Sequence, residues 1–123
     1  MLVRLYSAAV NGLDVKTVEV EVNISKGANY SIVGLPDSAV RESYFRTRTA
    51  MSNSGFHQST AHIVVNLAPA DLRKEGSGYD LPIAIGILAA EGAVCKERLE
   101  KFMLVGELGL DGPLPPVRGA LPI

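Results

Sequence analysis

Between Asn66 and Ile85 the chain reads Asn66-Leu67-Ala68-Pro69-Ala70-Asp71-Leu72-Arg73-Lys74-Glu75-Gly76-Ser77-Gly78-Tyr79-Asp80-Leu81-Pro82-Ile83-Ala84-Ile85. Arg73 and Lys74 are cations that can contact phosphate, Ser77 is a hydroxyl held between glycines, and Glu75 and Asp80 are carboxylates flanking one loop. Each has a plain structural use as well. A serine between glycines is more often a turn former than a nucleophile, since an unactivated hydroxyl attacks poorly. Glu75 can pair with Arg73 or Lys74, and Asp80 can cap a helix. Gly76-Ser77-Gly78 lacks the lysine of Gly-x4-Gly-Lys-Ser/Thr, so the loop is not a Walker A phosphate cradle. His57 and His62 have no second pair of soft ligands, whereas zinc needs about four. Cys95 stands outside any motif and reads as a buried or half-buried small apolar residue.

A second basic group is Arg41, Arg46 and Arg48. These residues lie mostly off the apolar stripe Val40, Tyr44, Thr47 and Met51, and a solvated helix face accounts for them better than phosphate contact does. Arg41, Arg46, Arg48, Arg73, Lys74 and Ser77 are therefore the candidate contacts to DNA or a partner protein. Off the apolar stripe, Phe45 and Tyr79 are the aromatics near them in sequence, too few to announce base stacking.

The elements that position these groups follow from periodicity. Leu2 to Val10 is apolar and β-prone, and Asn11-Gly12 offers a turn. Val18, Val20, Val22 and Ile24 alternate with polar residues, as in a strand with one wet face, and Tyr30 to Val33 reads as a shorter strand. Asp37 reads as the N-cap of a helix running to about Ser54, with Gly55 closing it. His62 to Leu67 is a strand for the sheet centre. Ile83 to Ala90 is apolar nearly all round, which predicts a deeply packed helix capped by Asp80 and ended by Gly92. A small charged helix is expected over Lys96 to Lys101. Met103 to Leu110 and Leu114 to Val117 then flank Asp111-Gly112 as a β-hairpin, and a further helix is expected to start near Arg118-Gly119-Ala120. The sum is one α/β domain, 1–123, with a mixed sheet of about five or six strands under two main helices. The expected core is Val18, Val20, Val22, Ile32, Val40, Met51, Ile63, Val65, Ile83, Ile87, Leu104 and Leu108.

Bulk properties exclude several classes. Apolar residues are 47% and charged residues 20%, an ordinary globular balance rather than that of a disordered chain. A net charge of −1 argues against coating nucleic acid or membranes by bulk electrostatics. No apolar run approaches the ~20 residues of a membrane span, and the first residues do not form a secretory signal. A single cysteine suits a reducing cytosol, so a cytoplasmic location is expected, without membrane association.

The loop run closely resembles the signature of the magnesium-chelatase-like AAA+ ATPases of the ComM and YifB type. Val33-Gly34-Leu35-Pro36-Asp37 through Arg41-Glu42, Asn53-Ser54-Gly55-Phe56, and Val105-Gly106-Glu107-Leu108 through Gly112 match it in the same order. The resemblance implies an N-terminal domain with a Lon-protease-like fold, cut short here at its C-terminus, ahead of an ATP-hydrolysing module. It further implies ring assembly with neighbouring subunits, roles in competence, recombination and DNA branch migration, and ATP and Mg2+ as cofactors of the longer protein rather than of this stretch. Laid on the Lon loop, Lys74-Glu75-Gly76-Ser77-Gly78-Tyr79-Asp80 puts Gly78 at the nucleophile and Leu121 at the general-base lysine. The resemblance therefore implies a fold without the Ser-Lys dyad and no catalytic residues in this chain. Two alternatives stand beside this assembly role: direct DNA contact through residues 72–79, or peptidase chemistry at a register-shifted Ser77.

Overall fold

The computed structural model describes residues 1–11, 13–56, 60–110 and 120–122. Strands β1 (Leu2–Asn11) and β2 (Asp14–Ser25) form a long antiparallel hairpin whose ladder runs from Leu2↔Asn23 to Asn11↔Asp14. The strand thus continues through Asn11, and Gly12 of the expected turn lies outside the described residues. Next come β3 (Tyr30–Val33), α1 (Ser38–Asn53), β4 (His62–Ala68) and α2 (Asp80–Ala90). A 3₁₀ helix, Lys96–Lys101, leads to β5 (Phe102–Leu104), and β6 (Ala120–Pro122) follows. The strands form one mixed sheet of order β3-β4-β2-β1-β5-β6, with β3–β4 and β1–β5 parallel and the other pairs antiparallel.

Register puts the apolar residues on one face. Val3 pairs with Val22 and Leu5 with Val20, while Val22 pairs with Val65 and Val20 with Leu67. All of these are buried, because β-strand side chains alternate and the even residues of β2 face the helices. The other face carries a polar ladder. Arg4 reaches Glu19 at 2.7 Å and Glu21 at 3.1 Å, and Asn66 donates to Glu21 at 2.8 Å. The Asn66 hydrogen bond is the main reason the Glu21 carboxyl is held below its ordinary range.

Helix α2 lies directly on the β1–β2 hairpin. A Cβ at Gly86 would stand 2.6 Å from Val22 Cγ2 and 3.0 Å from Leu5 Cδ2, so the glycine sets how closely helix and sheet approach. Helix α1 packs beside α2 and buries Val40, Ser43, Thr47, Ala50 and Met51. Asp37 caps it as expected, accepting from the Val40 amide at 2.8 Å, and Gly55 follows its C-cap. Of the expected core only Ile32 falls short of full burial, since β3 is an edge strand.

Four expectations need correction. Asp80 is the first residue of α2 rather than its cap; Tyr79 holds the cap position without a side-chain bond, because the Asp80 carboxylate is engaged elsewhere. Cys95 is exposed, its thiol 3.2 Å from Glu97. The strand expected over Met103 to Leu110 is confined to Phe102–Leu104, because the backbone after it turns to the glycine loop: Gly106 donates to the Gly78 carbonyl and Leu108 to Asp80. Residues 114–117 and the turn at Asp111-Gly112 lie outside the described residues. Where a helix was expected to begin, Ala120–Pro122 instead pairs with β5 as a strand.

Candidate functional site

The glycine loop leaves β4 at Ala68 and enters α2 at Asp80, and it is fastened on both sides. On one side the Lys74 amide donates to the Leu35 carbonyl and the Asp37 amide to the Lys74 carbonyl, each at 3.0 Å. The second carboxylate oxygen of Asp37 accepts from the Gly76 amide at 3.2 Å, so the residue that caps α1 also holds the loop. On the other side Gly106 donates to Gly78 at 2.8 Å, and Leu81 donates to Gly106 at 2.9 Å. Leu35 adopts a left-handed φ of 57° beside Gly34, where a Cβ would sit 2.0 Å from the Leu67 carbonyl oxygen. The chain between β3 and α1 is thus pressed against the end of β4, which brings it to the loop.

The six candidate contacts fall into different settings. Lys74 is 0% exposed and donates its ammonium to the Pro69 carbonyl. Burial lowers the affinity of that ammonium for its proton, against the pull of Asp71. It is an internal prop of the loop and not a cation presented to phosphate, which corrects the sequence reading. Arg46 is corrected likewise: instead of a solvated face, its Nε lies 2.6 Å from Asp80 Oδ2 and its Nη2 2.9 Å from Oδ1 and 2.7 Å from the Ala39 carbonyl. Asp80 has no exposed surface and also accepts from the Leu108 amide at 3.2 Å. Burial pushes its carboxyl above the ordinary range, opposed by Arg46 and Leu108, while Asp80 raises Arg46 in turn. This bidentate pair ties α1, α2 and the segment after β5 to one point.

Arg73 is exposed and pairs with Glu75 at 3.2 Å, one of the pairings expected for Glu75. Ser77 is half-buried, and its carbonyl accepts from the Asp80 amide at 3.1 Å. Arg41 is exposed on α1, its Nε 3.4 Å from the Pro36 carbonyl, and the Arg48 guanidinium lies 5.7 Å over the Tyr44 ring. Sequence reasoning missed the double use of Asp37 and the Arg46–Asp80 pair. Only an aspartate at the lead-in to each helix, Asp37 before α1 and Asp80 at α2, hinted at them.

Beside the loop a cleft of about 340 Å³ opens between the end of β1 and residues Arg73, Gly78 and Val105. A Cβ at Gly78 would lie 3.3 Å from Val105 Cγ1, so a side chain here would have to displace that valine slightly. The arrangement does not suit a nucleotide phosphate. The Asp80 carboxylate occupies the first turn of α2, where a phosphate would need positive potential, and Lys74 is turned inward. Among the described residues no three His, Cys, Asp or Glu side chains gather as a metal site, and no helix is long and apolar enough to cross a membrane.

Fold and loop together define a two-layer α/β domain built around an internally braced glycine loop. Residues 20–123 match the family described as subunit ChlI of Mg-chelatase, and the chain belongs to that family, with relatives of the YifB and ComM type. It is 46% identical over 118 residues to the protein YifB of Escherichia coli (strain K12), covering 95% of this chain and 23% of that protein. To the competence protein ComM of Haemophilus influenzae it is 45% identical over 119 residues, covering 96% of this chain and 23% of the relative. A Mycobacterium bovis relative is 46% identical over 120 residues, 97% of this chain and 24% of its own length. The chain thus spans about a quarter of the length of the curated relatives it matches.

Proposed function

We infer that this domain is a non-catalytic assembly and interaction module at the N-terminal side of a cytoplasmic magnesium-chelatase-like AAA+ ATPase that processes DNA. The observation carrying this reading is the bracing of the glycine loop. Its lysine is buried, its terminal aspartate is bound by Arg46, and its backbone is hydrogen-bonded on both flanks. A loop held this way presents a fixed surface, as a docking partner requires, and offers no activated nucleophile. In the Lon-like reading the nucleophile position is Gly78, which packs on Val105, and Leu121 stands for the base. ATP, and Mg2+ with it, would be held by the rest of the longer polypeptide, since this loop lacks the Gly-x4-Gly-Lys-Ser/Thr cradle.

Of the candidate cations for direct DNA contact, Lys74 is buried and Arg46 is held by Asp80, which leaves Arg41, Arg48 and Arg73, and Arg73 already faces Glu75. The test supplies this chain in trans to the remaining three-quarters of a relative such as the Haemophilus influenzae protein and follows the mixture by sedimentation velocity. A complex weakened by Arg73→Glu is expected. Absence of a complex, together with salt-sensitive binding of branched DNA by the isolated chain, would overturn the reading in favour of DNA contact. Peptide hydrolysis lost in Ser77→Ala would overturn it in favour of a peptidase.

A further inference from the structure

β3 is the outermost strand on its side of the sheet, and among the described residues no strand pairs with its outer edge. Sheet edges left open to solvent are normally blunted with charges, proline or bulges, because their unpaired N–H and C=O groups template further strands. Tyr30-Ser31-Ile32-Val33 carries none of these devices. An open groove of about 660 Å³ runs along it, walled on one side by the consecutive residues 28–33 and on the other by Arg41, Tyr44 and Phe45 of α1. A strand edge facing a helix across an open groove is the geometry in which extended peptides add to a sheet.

The groove has a fixed apolar wall and one sign of charge. Tyr44 packs on Tyr30 at 4.2 Å between ring centroids, and Phe45 meets Tyr44 edge-on at 5.2 Å. Phe45, on the helix wall of the groove, is 68% exposed. Arg41 lines the groove, Arg48 lines the pocket adjoining it, and no Asp or Glu lines either among the described residues. Glu42 leans instead toward Arg46, at 3.6 Å.

We propose that this groove docks an extended acidic segment of a partner polypeptide, which adds as a further strand along β3, rests apolar side chains on Phe45 and sets a carboxylate against Arg41. A row of backbone donors and acceptors is satisfied by another strand and not by a sugar-phosphate chain, which disfavours nucleic acid. A second copy of this chain would bring arginine to arginine. The proposal gives the interaction role a partner chemistry, and it occupies a surface separate from the glycine loop.

The test is two-dimensional amide NMR of the 123-residue chain titrated with a peptide of about eight residues alternating valine and glutamate. Shifts concentrated in residues 28–33 and 41–45, with slowed hydrogen exchange in β3, are expected. Arg41→Glu should weaken binding roughly tenfold or more, keep the thermal midpoint of the parent, and transfer preference to a control peptide alternating valine and lysine. Equal binding of the lysine peptide by the parent chain, shifts elsewhere, no shifts at millimolar peptide, or tighter binding of oligothymidylate at the same residues would each overturn it. The outcome is independent of the trans complex: if peptide binding fails while Arg73→Glu still weakens that complex, only the groove is lost.

Discussion

Removing Arg46 leaves the Asp80 carboxylate without its guanidinium in a site with no exposed surface. Arg46→Met should therefore cost about 3 kcal/mol in urea unfolding, because a buried charge stripped of its partner keeps its desolvation penalty. Adding Asp80→Asn should return part of that loss, whereas two independent contacts would give additive losses. The phenol of Tyr79 sets a pH dependence: burial, with Asp37 and Glu75 adding repulsion, pushes it from 10.0 up to about 12. The folded chain then keeps a proton that the unfolded chain releases. This stabilisation is complete below pH 10.0 and is lost as pH rises to about 12. Tyr79→Phe should flatten that alkaline fall by up to about 1.4 kcal/mol per pH unit in chemical denaturation. Lys74 has the opposite sign: its lowered pKa makes the buried ammonium a penalty that eases as pH rises toward 10.5. In Lys74→Met this easing should be absent.

At the scale of elements, the spacing between α2 and the hairpin is the sensitive quantity. Gly86→Ala would gain about 1 kcal/mol in helix propensity. Against this, the new methyl would meet Val22 at 2.6 Å and Leu5 at 3.0 Å, both fully buried, and overpacking costs about 1–3 kcal/mol. Overpacking should win, giving a lower thermal midpoint. At the lead-in to α1, Asp37→Ala should cost about 1 kcal/mol from the lost cap alone. It should also raise hydrogen exchange at Gly76, whose amide the same carboxylate holds. A cap without the second role would leave Gly76 unchanged. These elements were legible because each carries its own period: β2 alternates, α1 has its stripe and N-cap, and α2 is apolar throughout. The segment after β5 misled because Val105 to Leu108 reads as a strand locally, while its amides go to the loop and to Asp80.

At the scale of the whole molecule, the helices cover one face of the sheet, and the other bears the Arg4, Glu19, Glu21 and Asn66 ladder. Hydrogen exchange should be slowest at β2 and its neighbours β1 and β4, which hold the most deeply buried apolar residues, and faster at the β3 edge until a partner strand covers it. The basic residues do not converge on one surface. Arg46 and Lys74 act inside the fold, Arg73 faces its own glutamate, and Arg41 and Arg48 flank the β3 side. A DNA contact spread over all of them is therefore not what the fold assembles.

The sequence by itself determined the periodic features, namely the strand and helix identities from β1 to α2, the Asp37 cap and nearly all of the core, because hydrophobic alternation and capping are local properties. The ordered motifs also carried the family. Tertiary structure alone decided which charges stay at the surface and which are internal fasteners. Arg46 and Asp80 are separated by 34 residues in sequence, and nothing in either neighbourhood marks them as partners. Lys74 reads as an exposed loop cation, and only the fold turns its ammonium inward to the Pro69 carbonyl. Burial and long-range pairing depend on where distant segments meet, and a lone arginine or lysine carries the same local signature whether it faces water or the core.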